Sequence, residues 1–156
     1  MINVLFVCLG NICRSPMAEA MFRELVKREG LEHEVKVDSA GTGDWHVGSQ
    51  PHEGTRSILT KYKIDAEGLR ARQIRESDLL DFQYIVAMDT SNVKNIEKLK
   101  KANSSAHIVR LLDYVDERQE KDIPDPYFTG DFEETYELVK IGCTNLLNEL
   151  RRNHNI

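Results

Sequence analysis

The hydrophobic period of the chain changes near its start, and that change limits the fold more than any other feature. Asn3-Val4-Leu5-Phe6-Val7-Cys8 is short, apolar and rich in β-branched and aromatic side chains, as expected of a strand buried on both faces of a parallel sheet. After Cys8 the spacing becomes helical. Ser15 suits an N-cap, Pro16 the first helical position, and Met17, Met21 and Leu25 share one apolar face with Ala18 and Phe22. Gly30 supplies the stop, so the opening reads as strand, short loop and helix.

The same alternation runs through the rest of the chain. Val35-Lys36-Val37-Asp38-Ser39, Tyr84-Ile85-Val86-Ala87-Met88 and His107 to Leu112 read as further strands. Ile58, Leu59 and Tyr62 mark one helix, and Val93, Ile96 and Leu99 another. Phe132, Tyr136, Val139, Cys143, Leu146 and Leu150 alternate spacings of four and three, giving the last helix a single core-facing stripe. Alternating strands and helices predict an α/β fold: an open four-stranded parallel sheet with helices on both faces and right-handed crossovers. No repeat, low-complexity tract or linker divides the sequence, so residues 1–156 are expected to form one domain. Ligands of such sheets bind beyond the carboxyl ends of the strands, which is where Cys8 falls.

Composition narrows the function. The 156 residues carry a net charge of −5 with no basic run, which argues against a protein that tracks a nucleic-acid backbone. The longest apolar run, Val4 to Leu9, is far too short to span a bilayer, and no signal-peptide pattern opens the chain; a cytoplasmic location away from membranes is expected. Three cysteines, an odd number, then point to free thiols rather than a disulfide framework.

The segment Cys8-Leu9-Gly10-Asn11-Ile12-Cys13-Arg14-Ser15-Pro16 carries the chemistry. A Cys with an Arg six residues later is weak as bare spacing, but here the Cys ends a strand while Arg and Ser open a helix. Gly10 and Asn11 tolerate the positive φ needed to curl backbone amides inward. Such a loop is a nest of N–H groups, backed by a helix N-terminus, that suits a dianionic phosphoryl group. Arg14 adds a planar fork for two equatorial oxygens, and the same field favours the nucleophilic thiolate form of Cys8. Ser15 has two readings that are compatible with one another, helix cap and hydroxyl donor to the Cys8 sulfur. Asn11 and Ser39 are either ordinary turn residues or a hydrogen-bonded pair that holds the loop. Asp125, between two prolines in Ile123-Pro124-Asp125-Pro126-Tyr127, is a carboxylate on a stiffened loop. The remaining acids, Asp113, Asp116, Asp122, Asp131, Glu117 and Glu120, read as a solvated rim, and the five histidines as surface groups.

The run VCLGNICRSP resembles the signature of the low-molecular-weight protein tyrosine phosphatases, of the bacterial type. The resemblance continues through Ser39-Ala40-Gly41-Thr42, Asp44-Trp45, Ala87-Met88-Asp89 with Ser91-Asn92, and Asp125-Pro126-Tyr127, and so covers nearly the whole chain. It implies hydrolysis of phosphotyrosine through a phosphocysteine intermediate, with Cys8 as nucleophile, Arg14 and the loop Leu9 to Ser15 holding phosphate, and Asp125 as general acid. Ser39 is implied as a support of the loop, and Trp45 and Tyr127 as walls of the substrate crevice beside Ile12. No metal or other cofactor is implied. The expected partners are tyrosine-phosphorylated proteins, and the expected assembly is a monomer or a weakly self-associating chain.

The resemblance leaves choices open. Arginine phosphatases of the family typically carry Thr where this chain has Ile12, and an apolar side chain packs better on a phenyl ring. Cys13 is read equally as a redox partner of Cys8, as the resemblance suggests, or as a small residue lining the loop; Cys143 is read as core. Eukaryotic relatives often have two adjacent tyrosines after Asp-Pro, whereas Tyr127-Phe128 cannot be phosphorylated at the second position. An arsenate reductase would relay sulfur chemistry through further cysteines, and none lies between Arg14 and Gly142. A non-catalytic phosphate-binding module would be expected to lack the nucleophile or the acid, and both Cys8 and Asp125 are present.

Overall fold

The computed structural model describes every residue from Met1 to Ile156. Strand β1 (Ile2–Cys8) leads into α1 (Arg14–Arg28), β2 (Val35–Gly41), α2 (Glu53–Lys61), α3 (Asp78–Asp81), β3 (Tyr84–Ala87), α4 (Thr90–Glu97) and β4 (His107–Arg110). A 3-10 turn at Leu111–Tyr114, the short α5 (Pro126–Thr129) and the long α6 (Phe132–His154) complete the chain. The four strands are all parallel, in the order β2-β1-β3-β4. The chain moves outward from β1 to β2 and then crosses back to β3, so the order reverses beside β1, and the carboxyl end of β1 opens into a crevice.

Side-chain alternation along β1 divides the core in two. Val4, Phe6 and Cys8 face a large apolar cluster that includes Met17 and Phe22 of α1 and Val139, Cys143 and Leu146 of α6. Leu5 and Val7 face the opposite layer, with Leu79 of α3 and Ile96 of α4. Helices therefore cover both faces, as the alternating pattern predicts. The stripe on α6 is buried from Tyr136 to Leu150, and Gly30, with φ +68°, stops the first helix as expected.

Several boundaries differ from the sequence reading, each for a local reason. Helix α1 begins at Arg14 with Cys13 as its N-cap residue, and no side chain caps it. Ser15 is therefore not the cap: its hydroxyl is taken by Asn11 and Cys8. Pro16 falls at the third helical position, where its missing N–H still has no intrahelical role. The fourth strand ends at Arg110, because Leu111 and Leu112 turn into a 3-10 helix while staying fully buried; apolarity alone extends that strand too far. Helix α4 stops before Leu99. The short helices α3 and α5 have no hydrophobic period long enough to announce them.

Gly41, the last residue of β2, pairs with Cys8 and lies directly beneath the loop that follows β1. A Cβ there would stand 2.9 Å from the Leu9 carbonyl oxygen and 3.1 Å from the Asn11 nitrogen, both rigid backbone atoms. Gly41→Ala is expected to destabilise the protein by about 1–3 kcal/mol, the range for overpacking. The measurement is a lower urea midpoint with an unchanged slope.

Candidate active site

The loop between β1 and α1 has its carbonyls tied outward. Cys8 O accepts from Thr42 N at 2.9 Å, Leu9 O from Gly43 N at 2.9 Å, and Ile12 O from His52 N at 2.7 Å. Cys13 O accepts from the Thr55 hydroxyl at 3.0 Å. By contrast, none of the backbone N–H groups from Leu9 to Ser15 donates to another group of the protein. Buried backbone groups normally find partners, so a run of unused donors around one loop is an arrangement suited to an anion. Asn11 makes the curl possible at φ +57°. Gly10 was expected to share that conformation and does not; its lack of a side chain instead admits the His46 ring, whose Cδ2 would be 3.0 Å from a Cβ.

Three polar side chains and one backbone amide brace this loop. Asn11 Nδ2 donates to Ser15 Oγ at 2.7 Å and to Ser39 Oγ at 3.0 Å, while Asn11 Oδ1 accepts from Arg72 N at 3.0 Å. The pairing of Asn11 with Ser39 is therefore present, and neither residue is a free turn residue. Ser15 Oγ lies 3.0 Å from Cys8 Sγ, at the carboxyl end of β1.

Arg14 is only 2% exposed and is neutralised from two directions. Its Nη1 donates to Asp89 at 2.6 Å and to the Ile123 carbonyl at 2.9 Å, and its Nη2 reaches Asp125 at 3.4 Å. Burial alone would push the guanidinium's proton affinity down, but Cys8, the bond to Asp89 and the charge of Asp125 outweigh it and raise its pKa. Its Nε is buried without a partner, so the edge formed by Nε and the loosely engaged Nη2 has donor capacity left for a pair of acceptor oxygens. Sequence reasoning passed over Asp89 as a site residue. The available signal was its place after buried β3, at the same sheet edge as Cys8; it also caps α4 through Asn92 N at 2.8 Å.

Asp125 caps α5 by accepting from Tyr127 N at 3.1 Å, with Pro126 at the first helical position and Gly130, φ +75°, at the end. The remote Asp-Pro-Tyr segment is thus seated over the loop. Together these elements enclose a cavity of about 380 Å³ lined by Leu9, Gly10, Ile12 and Cys13 from the loop, by Trp45 and His46, and by Asp125, Tyr127 and Phe128. Cys8 and Arg14, both buried, are not part of this lining. Trp45 and Phe128 are 68% and 76% exposed, so the aromatic walls stand at an open mouth rather than in a deep slot. The Trp45 ring lies on Gly43, where a Cβ would be 1.9 Å from the ring.

Two histidines read as surface groups belong to this region. His46 lines the cavity, and His52 links the loop to its wall: its N–H holds Ile12 O, its ring stacks on Phe132 at 5.1 Å and meets Tyr127 edge-on at 6.0 Å. Three acids of the expected rim are engaged instead. Asp113 pairs with Arg110, Asp122 accepts from Thr90, and Asp131 caps α6. Burial, then the neighbouring Cys8 and Asp125, push the Cys13 thiol up to about 12 against the opposing pull of Arg14. Cys143 is fully buried in the core, as expected. A larger polar depression of about 530 Å³ lies elsewhere, beside β4 and α6, but Asp113, Asp116, Glu117 and Glu149 around it would repel an anion.

Comparison with known proteins agrees with this geometry. The chain is 53% identical over 152 residues to the low molecular weight protein-tyrosine-phosphatase YfkJ of Bacillus subtilis, covering 97% of each chain. The crystal structure of YfkJ superposes with a TM-score of 0.95, covering 98% of this chain and 96% of that one. PtpA of Staphylococcus aureus, a protein of the same description, is 45% identical over 156 residues, covering 100% of this chain and 98% of its own. A Drosophila arginine phosphatase shares the fold at 35% identity and a TM-score of 0.89, over 96% of this chain and 98% of that one. The family model for low molecular weight phosphotyrosine protein phosphatase matches residues 3–155, and the chain belongs to that family.

Proposed function

We propose that this protein hydrolyses phosphotyrosine in protein substrates, and small aryl phosphates, through a phosphocysteine intermediate. The observation that carries the reading is the set of unused backbone N–H groups from Leu9 to Ser15, in the loop that joins Cys8 to the buried Arg14. A phosphoryl group seated there receives those amides, the N-terminal field of α1 and the open edge of the Arg14 fork. Cys8 Sγ then attacks phosphorus, and the bond from phosphorus to the phenolic oxygen breaks. Asp125 in its acid form donates a proton to the departing oxygen. In the second step Asp125 takes a proton from water as the water oxygen attacks phosphorus; the S–P bond breaks and phosphate leaves. Ser15 donates to the sulfur when it carries charge, which also makes the thiolate a better leaving group.

Leu9 to Ser15 hold phosphate, Ser39 supports the loop through Asn11, and Ile12, Trp45 and Tyr127 receive the aromatic ring. No helix is long and apolar enough to cross a membrane. A cytoplasmic enzyme of one domain, monomeric or weakly self-associating, with no nucleic-acid partner, fits the composition.

Cys8→Ser is expected to abolish turnover of an aryl phosphate while binding of inorganic phosphate survives. Residual activity at the parental level would remove Cys8 from the mechanism. Asp125→Ala should cost about 10²–10⁴-fold in kcat with a phenol of high pKa and much less with an activated phenol. Equal losses on both substrates would show that Asp125 does not act as the acid.

A second reading, arginine phosphatase activity, is favoured by the shared fold of the Drosophila enzyme. The cavity argues against it here, because Ile12 presents an apolar side chain to the substrate. Assayed side by side on phosphotyrosine and phosphoarginine peptides, the parent should prefer phosphotyrosine, and Ile12→Thr should shift the ratio toward phosphoarginine. Parental preference for phosphoarginine would reverse the assignment.

A further inference from the structure

A chain of hydrogen bonds runs from the Cys8 sulfur through Ser15, Asn11 of the loop and Ser39 of β2 to a carboxylate on α1 that is not part of the cavity lining. Glu19 is 5% exposed, and its Oε1 accepts from the Ser39 hydroxyl at 2.6 Å. Its other oxygen pairs with Arg23 at the surface end of the same helix face. Ser39 in turn accepts from Asn11, Asn11 donates to Ser15, and Ser15 meets Cys8. Burial raises the Glu19 pKa, against the pull of the Ser39 bond and of Arg23, with Asp38 adding to the rise and Arg72 opposing it. An apolar residue would avoid that desolvation, so the buried carboxylate calls for a reason beyond packing.

The donor directions supply one. Arg72 N–H can only donate, so it fixes the Asn11 amide with its oxygen toward Arg72 and both N–H bonds toward the two serines. Ser15, already accepting from Asn11, has its single proton left for Cys8 Sγ. Ser39 also accepts from Asn11, and its proton needs an acceptor that cannot donate back. An ionised carboxylate is such an acceptor. Without it the Ser39 hydroxyl can turn its proton toward Asn11, displace that amide, and release Ser15 from its donor orientation.

We propose that Glu19 is a positioning residue for the nucleophile, acting through Ser39 and Asn11 to keep the Ser15 hydroxyl donating to Cys8. The proposal rests on Cys8 being the nucleophile, which the Cys8→Ser variant tests separately. Glu19→Leu, which removes the acceptor, is expected to lower kcat on an aryl phosphate roughly tenfold, the scale of one weakened hydrogen bond to a charged atom. Glu19→Gln, which presents a donor as well as an acceptor, should lower it about threefold and keeps the test open if the Leu variant does not fold. KM should move less than kcat, because the carbonyl anchors of the loop at Thr42, Gly43 and His52 do not depend on Glu19. The rate of iodoacetate alkylation at Cys8, located by peptide fragmentation, should fall in the same proportion as kcat. In a Ser39→Ala background the Glu19 substitutions should cost little more, because both act on the same path. Folded Glu19 variants with parental kcat and alkylation rate would overturn the proposal, and so would a loss of undiminished size in the Ser39→Ala background.

Discussion

The structure depends on one backbone arrangement, the loop after β1 whose carbonyls are fastened outward so that its amides turn inward. Each anchor comes from a different part of the chain: Thr42 and Gly43 after β2, His52 and Thr55 at the start of α2, and the Arg72 amide before α3. A nest of unpaired donors is costly to keep in a buried setting without such support, because the backbone would otherwise relax to satisfy itself. Gly41 beneath the loop and the left-handed Asn11 within it are the two places where residue identity is dictated by this geometry.

Around that loop the electrostatics are local. The chain is acidic overall, with 26 Asp and Glu against 21 Lys and Arg, yet the site is built on a buried cation. Arg14 is held by Asp89 and Asp125, and a buried arginine with two carboxylates is tolerated because each contact also satisfies a donor. The second carboxylate is the loosely bound one, at 3.4 Å, and it belongs to the Asp-Pro-Tyr segment that closes over the cavity. The side chain proposed to receive the phosphoryl group is therefore also the one that holds the carboxylate proposed for proton transfer.

The layers behind the loop serve its rigidity. Even-numbered positions of β1 pack against α1 and α6, which fixes where α1 begins and so where Arg14 and Ser15 stand relative to Cys8. Ser39, one strand over, sits beside Phe6 in the parallel register and reaches Asn11 from the side. Glu19, four residues beyond Ser15 on α1, falls on the same helix face. A charged residue inside the apolar run Met17 to Met21 was a visible signal, but nothing in the sequence says what it faces.

Much of the fold and part of the site were legible in the order of residues. The change of period after Cys8, the stripe on the last helix and the loop between strand and helix are local patterns, and local patterns determine the parallel α/β class and the place of the proposed nucleophile, Cys8. The 3-10 turn at Leu111, the two short helices and the true start of α1 were not legible, because each is set by packing rather than by periodicity. The partnership of Asp89 with Arg14, the seating of Asp125 over the loop, His46 at the cavity and His52 against Tyr127 join residues far apart in the chain. Sequence alone determined which side chains can do chemistry with phosphate; only the tertiary structure decided which of them meet. Contact between distant segments follows from sheet order and helix packing, and no local pattern records those.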